Sequence, residues 1–141
     1  WLPIATAFYI QAGYLHPFVH WMGLPVGMTI FNVILLNEFH DYPADRATGK
    51  RNVLVRLGIE GGILLYAAVS VIAWGATFCA IYAGVPVRAL DLYIPVIILS
   101  ALVTGGLFMR KDKDSISLEI LCGVNIVVNL GTTVSLALAF V

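Results

Sequence analysis

The sequence predicts an all-α protein, a multi-span bundle of transmembrane helices forming a single domain over residues 1–141. Three observations carry this. Hydrophobic residues make up 60% of the chain and charged residues only 11%, where soluble domains average about 25% charged. The mean hydropathy is +0.94. Apolar runs of about 20 residues, the length that crosses the hydrocarbon of a bilayer, recur along the chain. Those runs are too long and too uniform for barrel strands, so helices are left as the structure that satisfies its own backbone in lipid. The formal net charge of +0 says little about partners. The bilayer is the expected surrounding, and no nucleic-acid partner is expected.

Residues 1–13 read as the tail of an earlier span. The chain begins with Trp1 inside an apolar run, with neither a basic leader nor a cleavage site before it. A piece lacking an N-terminal portion is therefore the expectation. The segment GYLHPFVH, residues 13–20, joins this tail to the first complete span, at about Trp21 to Phe39. Three more spans are expected at about Ile59 to Ala83, Leu92 to Met109, and Ile116 to Val141. Seven of the eight basic residues fall in alternate loops: Arg46, Lys50, Arg51 and Arg56 in one, and Arg110, Lys111 and Lys113 in another. Only Arg88 lies between the second and third spans. The positive-inside rule then puts residues 40–57 and 110–115 in the cytoplasm and residues 14–20, 84–91 and the C-terminus on the other side.

Residues 37–58, NEFHDYPADRATGKRNVLVRLG, are the one strongly polar stretch. Asp41 and Asp45 are four apart, which on a helix gives them one face with Cβ atoms about 5–6 Å apart. Such a pair can reach one Mg²⁺, an ion held by one or two carboxylates together with substrate phosphate oxygens and water. Pro43 fits a first helical turn, which would put Asp41 near a helix N-terminus with Asn37 one turn earlier. Gly49 breaks the element and lets Lys50 and Arg51 turn back. Carboxylates with a metal and cations attract a diphosphate and can stabilise it as a leaving group. The competing reading is an ordinary charged loop whose lysines and arginines only set topology. A DxxxD alone is weak; NxxxDxxxD followed by GKR and VRLG is far more specific.

That ordered set resembles the second aspartate-rich motif of the UbiA superfamily of intramembrane prenyltransferases, most closely the dihydroxynaphthoate polyprenyltransferase branch of menaquinone synthesis. The resemblance implies a nine-helix fold with two aspartate-rich cytoplasmic motifs, the second following the sixth helix. This chain would then hold the end of the fifth helix through the ninth. The first motif is absent, so this piece alone is expected to be inactive. The resemblance further implies that Asp41 and Asp45 bind Mg²⁺ bridging to a polyprenyl diphosphate. Asn37 would support that site, Lys50 would contact the diphosphate, and Arg51 would help. Arg56 would either reach phosphate or anchor the next helix. Ionisation of the allylic diphosphate would give a cation attacked by an aromatic acceptor. The membrane would be that of a bacterium or archaeon. Open alternatives are another UbiA-type acceptor (hydroxybenzoate, a lipid or a tetrapyrrole), a CDP-alcohol type phosphatidyl transferase, and a non-enzymatic transporter. The CDP-alcohol motif needs a DG–AR pair before Asp41, which is missing. A transporter should carry ionisable groups at mid-membrane.

Other residues carry weaker expectations. Cys79 and Cys122 read as buried thiols. His16 and His20 are read as interfacial and structural rather than metal ligands. Asn125 and Asn129 should hydrogen-bond a neighbouring helix. Gln11 with Tyr14 could approach an acceptor pocket or sit at the interface. Trp21, Tyr82 and Tyr93 read as aromatic-belt anchors. Gly61-Gly62 and Gly105-Gly106 should permit close packing. Glu119 should point at headgroups or pair with a cation of residues 110–113.

Overall fold

The computed structural model describes residues 1–109 and 117–141. Five helices follow one another: α1 (Leu2–Ala12), α2 (Pro17–Ala47), α3 (Val53–Tyr82), α4 (Arg88–Met109) and α5 (Leu118–Leu138). No strand occurs among the described residues. Helices α2 to α5 are each long and apolar enough to cross a membrane, whereas α1 is apolar but short. At about 1.5 Å per residue, α4 and α5 run about 33 and 32 Å and match the hydrocarbon, while α2 runs about 46 Å and must project beyond it.

The bundle is inverted relative to a soluble core. Large apolar side chains such as Leu64, Ile72, Phe78, Ile98, Leu102, Ile126 and Val134 face outward. Thr29, Asn32, Ser70, Thr77, Ser100, Asn125 and Thr132 are buried among the helices. Lipid solvates outward leucines as well as a protein core does, so small side chains and interhelical hydrogen bonds favour association instead. Tyr66 Oη donates to Asn125 Oδ1 at 2.7 Å, Asn129 Nδ2 to Thr29 Oγ1 at 2.9 Å, and Ser135 Oγ to the Leu92 carbonyl at 2.9 Å. The expectation that Asn125 and Asn129 bond neighbouring helices is met by two of these contacts.

Helix α3 carries the sharpest local feature. Gly58 has φ 72° and ψ 171° and interrupts the helix, so Val53–Leu57 is a short arm and the long segment starts at Ile59. A left-handed φ suits glycine, which has no Cβ to clash. At Gly62 a Cβ would run into the Leu54 side chain and come within 3.0 Å of Phe39 Cζ, so this glycine lets the arm fold against α2. Gly105, in contrast, faces open space. Leu54, Leu35, Leu36, Leu107 and Leu118 form one apolar cluster, which puts the ends of α4 and α5 beside the α2–α3 turn. At the other end Ala80, Val85, Ala89, Leu136 and Ala139 cluster against Phe18 and Met22.

Three expectations are corrected. Pro43 lies inside α2, not in a first turn, so Asp41 and Asp45 sit near the C-terminal end of a continuous helix. Tyr93 is 1% exposed and packs with Val96 and Val128, so it is no belt anchor, whereas Tyr82 is 94% exposed. Cys79 faces outward, while Cys122 is half-buried with its thiol 3.9 Å from the Leu36 carbonyl. Helix α2 starts at Pro17 with His16 as its cap: His16 Nδ1 accepts from the Phe18 amide at 3.3 Å. His20 stacks on Trp1 and accepts its indole N–H at 2.8 Å, so each histidine has a structural contact of its own.

Candidate functional site

The polar stretch folds into a helix end, a turn and a capped arm. Helix α2 stops at Thr48, whose hydroxyl and amide return to the last turn, and Gly49 follows with φ 72°. The reversed chain brings the Lys50 amide to the Asp45 carbonyl at 3.0 Å. It also brings Lys50 Nζ to both oxygens of the Asp45 carboxylate, at 3.1 and 3.0 Å. Asn52 Nδ2 donates to Asp45 Oδ2 at 2.7 Å, while Asn52 Oδ1 accepts from the Val55 amide and caps the arm. Glu38 Oε2 accepts from the Leu54 amide at 3.0 Å, a second cap from the side of α2. Free amides at a helix start favour such anionic partners. Asp45 is accordingly only 8% exposed, although it lies in a polar turn.

Lys50 is solvent-facing, and its pKa is raised above the ordinary 10.5 by its bond to Asp45 first, with the fields of Asp41 and Glu38 adding to it. It is therefore cationic across the neutral range. Arg51 and Arg56 are exposed, the latter on the short arm before Gly58.

Asn37 and Asp41 are exposed on α2, one turn apart. With His40 and, from α5, Glu119, Cys122, Gly123 and Ile126, they line a cleft of about 600 Å³. A second cleft of about 350 Å³ shares His40 and Glu119 and is completed by Phe39, Pro43, Ser117 and Leu118. Asp41 forms no side-chain hydrogen bond or ion pair with another described residue. Thus Asn37 and Asp41 open onto the α2–α5 cleft, whereas Asp45 is turned to the α2–α3 loop and held by Lys50 and Asn52.

Among the described residues no three His, Cys, Asp or Glu side chains converge as an all-protein metal cage. A Mg²⁺ site does not require one, since water and phosphate oxygens complete its shell. The donors at the cleft are hard oxygens, an amide from Asn37 and carboxylates from Asp41 and Glu119, and the negative end of the α2 dipole lies close by. This donor set fits a hydrated Mg²⁺. Asp45 could join it only by exchanging its bonds to Lys50 and Asn52.

Sequence reasoning did not anticipate the roles of Glu38, His40 and Asn52, nor Glu119 as a cleft residue. Asn52 had a readable signal, a cap residue directly before the apolar run VLV. Glu119 had none, because it reaches the cleft from 78 positions beyond Asp41 in the chain. Its expected partner among residues 110–113 lies outside the described residues. No known protein family, curated protein or solved structure matches this chain.

Proposed function

We propose that this chain is the C-terminal part of a UbiA-type intramembrane prenyltransferase. It would transfer a polyprenyl group from an allylic diphosphate to an aromatic quinone precursor of the dihydroxynaphthoate type. One observation carries the reading. The α2–α5 cleft joins oxygen donors (Asn37, Asp41, Glu119) to an apolar wall (Gly123, Ile126), and Asp41 lies one helical turn before Asp45, which holds Lys50. A polar head and an oily tail could occupy such a cleft together.

Asn37 and Asp41 would hold Mg²⁺, with Asp45 as a second carboxylate once it releases Lys50. The ion, when bound, offsets the charge of the diphosphate and favours its departure. Lys50 and Arg51 would bind the diphosphate oxygens, since charge-assisted bonds to phosphate are the strong ones. Asp45 holds Lys50 in the turn until that exchange. The apolar wall keeps water from the allylic cation. The acidic and basic residues would face the cytoplasm of a bacterial or archaeal cell, in keeping with the charge asymmetry of the loops.

The transporter reading has less support. Its ionisable groups should lie at mid-membrane, whereas the buried polar side chains of the described spans there are amides and hydroxyls. The test is binding by membranes that carry the full-length protein. A radiolabelled allylic diphosphate should be retained in the presence of Mg²⁺ and a CDP-alcohol should not. Retention of neither, or of the CDP-alcohol alone, rejects the proposal.

A further inference from the structure

Two amides in the middle of the bundle each have an atom without a hydrogen-bond partner: Asn32 Oδ1 and Asn125 Nδ2. The residues are 3% and 1% exposed. The Asn32 orientation is fixed by chemistry. Ser70 Oγ donates to the Tyr66 carbonyl at 3.0 Å, so it can only accept from Asn32 Nδ2, at 2.9 Å. Asn32 Nδ2 also donates to the Tyr66 carbonyl at 3.3 Å. Both amide hydrogens are used and the oxygen is left over. At Asn125, Oδ1 accepts the Tyr66 hydroxyl at 2.7 Å, leaving the NH₂ group.

The two leftovers lie at nearly the same level of two neighbouring helices, each beside a different end of Tyr66. Asn129 meets Thr29 and Cys122 meets Leu36, so α2 and α5 run antiparallel. Asn32 lies three residues beyond Thr29, and Asn125 four residues before Asn129. At about 1.5 Å per residue they fall within about 1.5 Å of the same level. One is a pure acceptor and the other a pure donor, yet they do not bond directly. Tyr66 Oη, with lone pairs to spare, adjoins Asn125.

We propose that one internal water molecule bridges Asn32 Oδ1 and Asn125 Nδ2, donating to the first and accepting from the second, and so closes a polar network across α2, α3 and α5. Water both donates and accepts, and buried water characteristically bonds polar groups that have no other partner. Both asparagines are nearly fully buried, so a partner must be a small molecule trapped inside the bundle, and water is the smallest that both donates and accepts. This site does not depend on the prenyl-transfer reading.

The test is NMR of the protein in lipid nanodiscs, with isotope-labelled asparagine and water-to-amide cross-relaxation as the readout. In the unaltered protein the Asn125 side-chain NH₂ should show a cross-peak to a long-lived water, and Asn32→Leu should remove it. Absence of the cross-peak in the unaltered protein overturns the proposal, without needing any variant to fold. So does a cross-peak that persists unchanged in Asn32→Leu.

Discussion

Lys50 Nζ sits 3.0 Å from Asp45 Oδ2, five residues back along the chain, and the left-handed Gly49 between them makes the contact possible. One aspartate of the DxxxD pair is therefore engaged with the turn while the other, Asp41, opens on a cleft. The two should respond differently to substitution.

If the protein carries out the proposed transfer, Asp41→Asn in the full-length protein should abolish it, and should leave the melting temperature unchanged because Asp41 supports no bond within the described structure. Asp45→Ala should also abolish transfer, but at a cost in stability. Losing the charge-assisted bond from Asn52 costs about 1–3 kcal/mol. Thermal unfolding in detergent, set beside activity, separates the two. Equal destabilisation by both variants would remove the distinction.

Gly58→Ala tests the kink. A Cβ there meets nothing within 4 Å, so any penalty is conformational. Holding alanine at φ 72° and ψ 171°, a combination essentially reserved for glycine, costs about 1–3 kcal/mol. Gly62→Val tests packing instead, since its branches would displace Leu54 and Phe39, at about 1–3 kcal/mol. Both should lower the melting temperature, whereas Gly105→Ala should not. Equal melting temperatures for all three would show that the arm does not pack as described.

The four long apolar helices were legible because bilayer solubility is a property of composition, and the Gly58 break in α3 falls just before Ile59, where an apolar run begins. Which face each helix buries was not legible. In a uniformly apolar span every side chain suits lipid, so Cys79 and Tyr93 gave no sign of their orientation. The buried amides and hydroxyls did, since Asn125 can bond only within the bundle. Pro43 misled for a local reason. A proline costs a helix one backbone bond, here that of the Phe39 carbonyl, and a helix projecting past the hydrocarbon can hand that carbonyl to water. The cleft was hidden because Glu119 joins it through tertiary structure alone.

Thr48 and Val87 lie at opposite ends of α3. In a background with Cys79 and Cys122 replaced by serine, Thr48→Cys should be labelled by an impermeant reagent only from the cytoplasmic side, and Val87→Cys only from the other. Position 112, outside the described residues, should behave like 48. Labelling of 48 and 87 from the same side would overturn the four-span arrangement.

The bond between Lys50 and Asp45 also has a pH signature. A lysine whose pKa is raised in the folded state gives its full contribution below the unfolded value of 10.5 and loses it as pH rises through the higher folded value. The turn should therefore be insensitive to pH across the neutral range. Amine labelling of Lys50 should become fast at higher pH than labelling of Lys50 in Asp45→Asn. Identical pH profiles would show that the bond does not persist in solution.

Lys50 decides whether the turn serves the substrate or only the fold. If Lys50 binds diphosphate, Lys50→Gln should raise the KM for the allylic diphosphate about tenfold or more, the scale of one lost charge-assisted bond. The acceptor KM should change little, because the acceptor need not touch the diphosphate. Orientation should be kept, since Arg46, Arg51 and Arg56 still mark the loop. Asn52→Ala is the matched control. It removes the other bond to Asp45 and the cap on Val55, so it should lower the melting temperature by the loss of about 1 kcal/mol of capping, yet leave the diphosphate KM near normal. Steady-state kinetics in both proposed substrates on membranes carrying the full-length protein read all four values. Equal kinetic effects from Lys50→Gln and Asn52→Ala would make Lys50 a fastener of the turn and move diphosphate binding to Arg51 or beyond this chain.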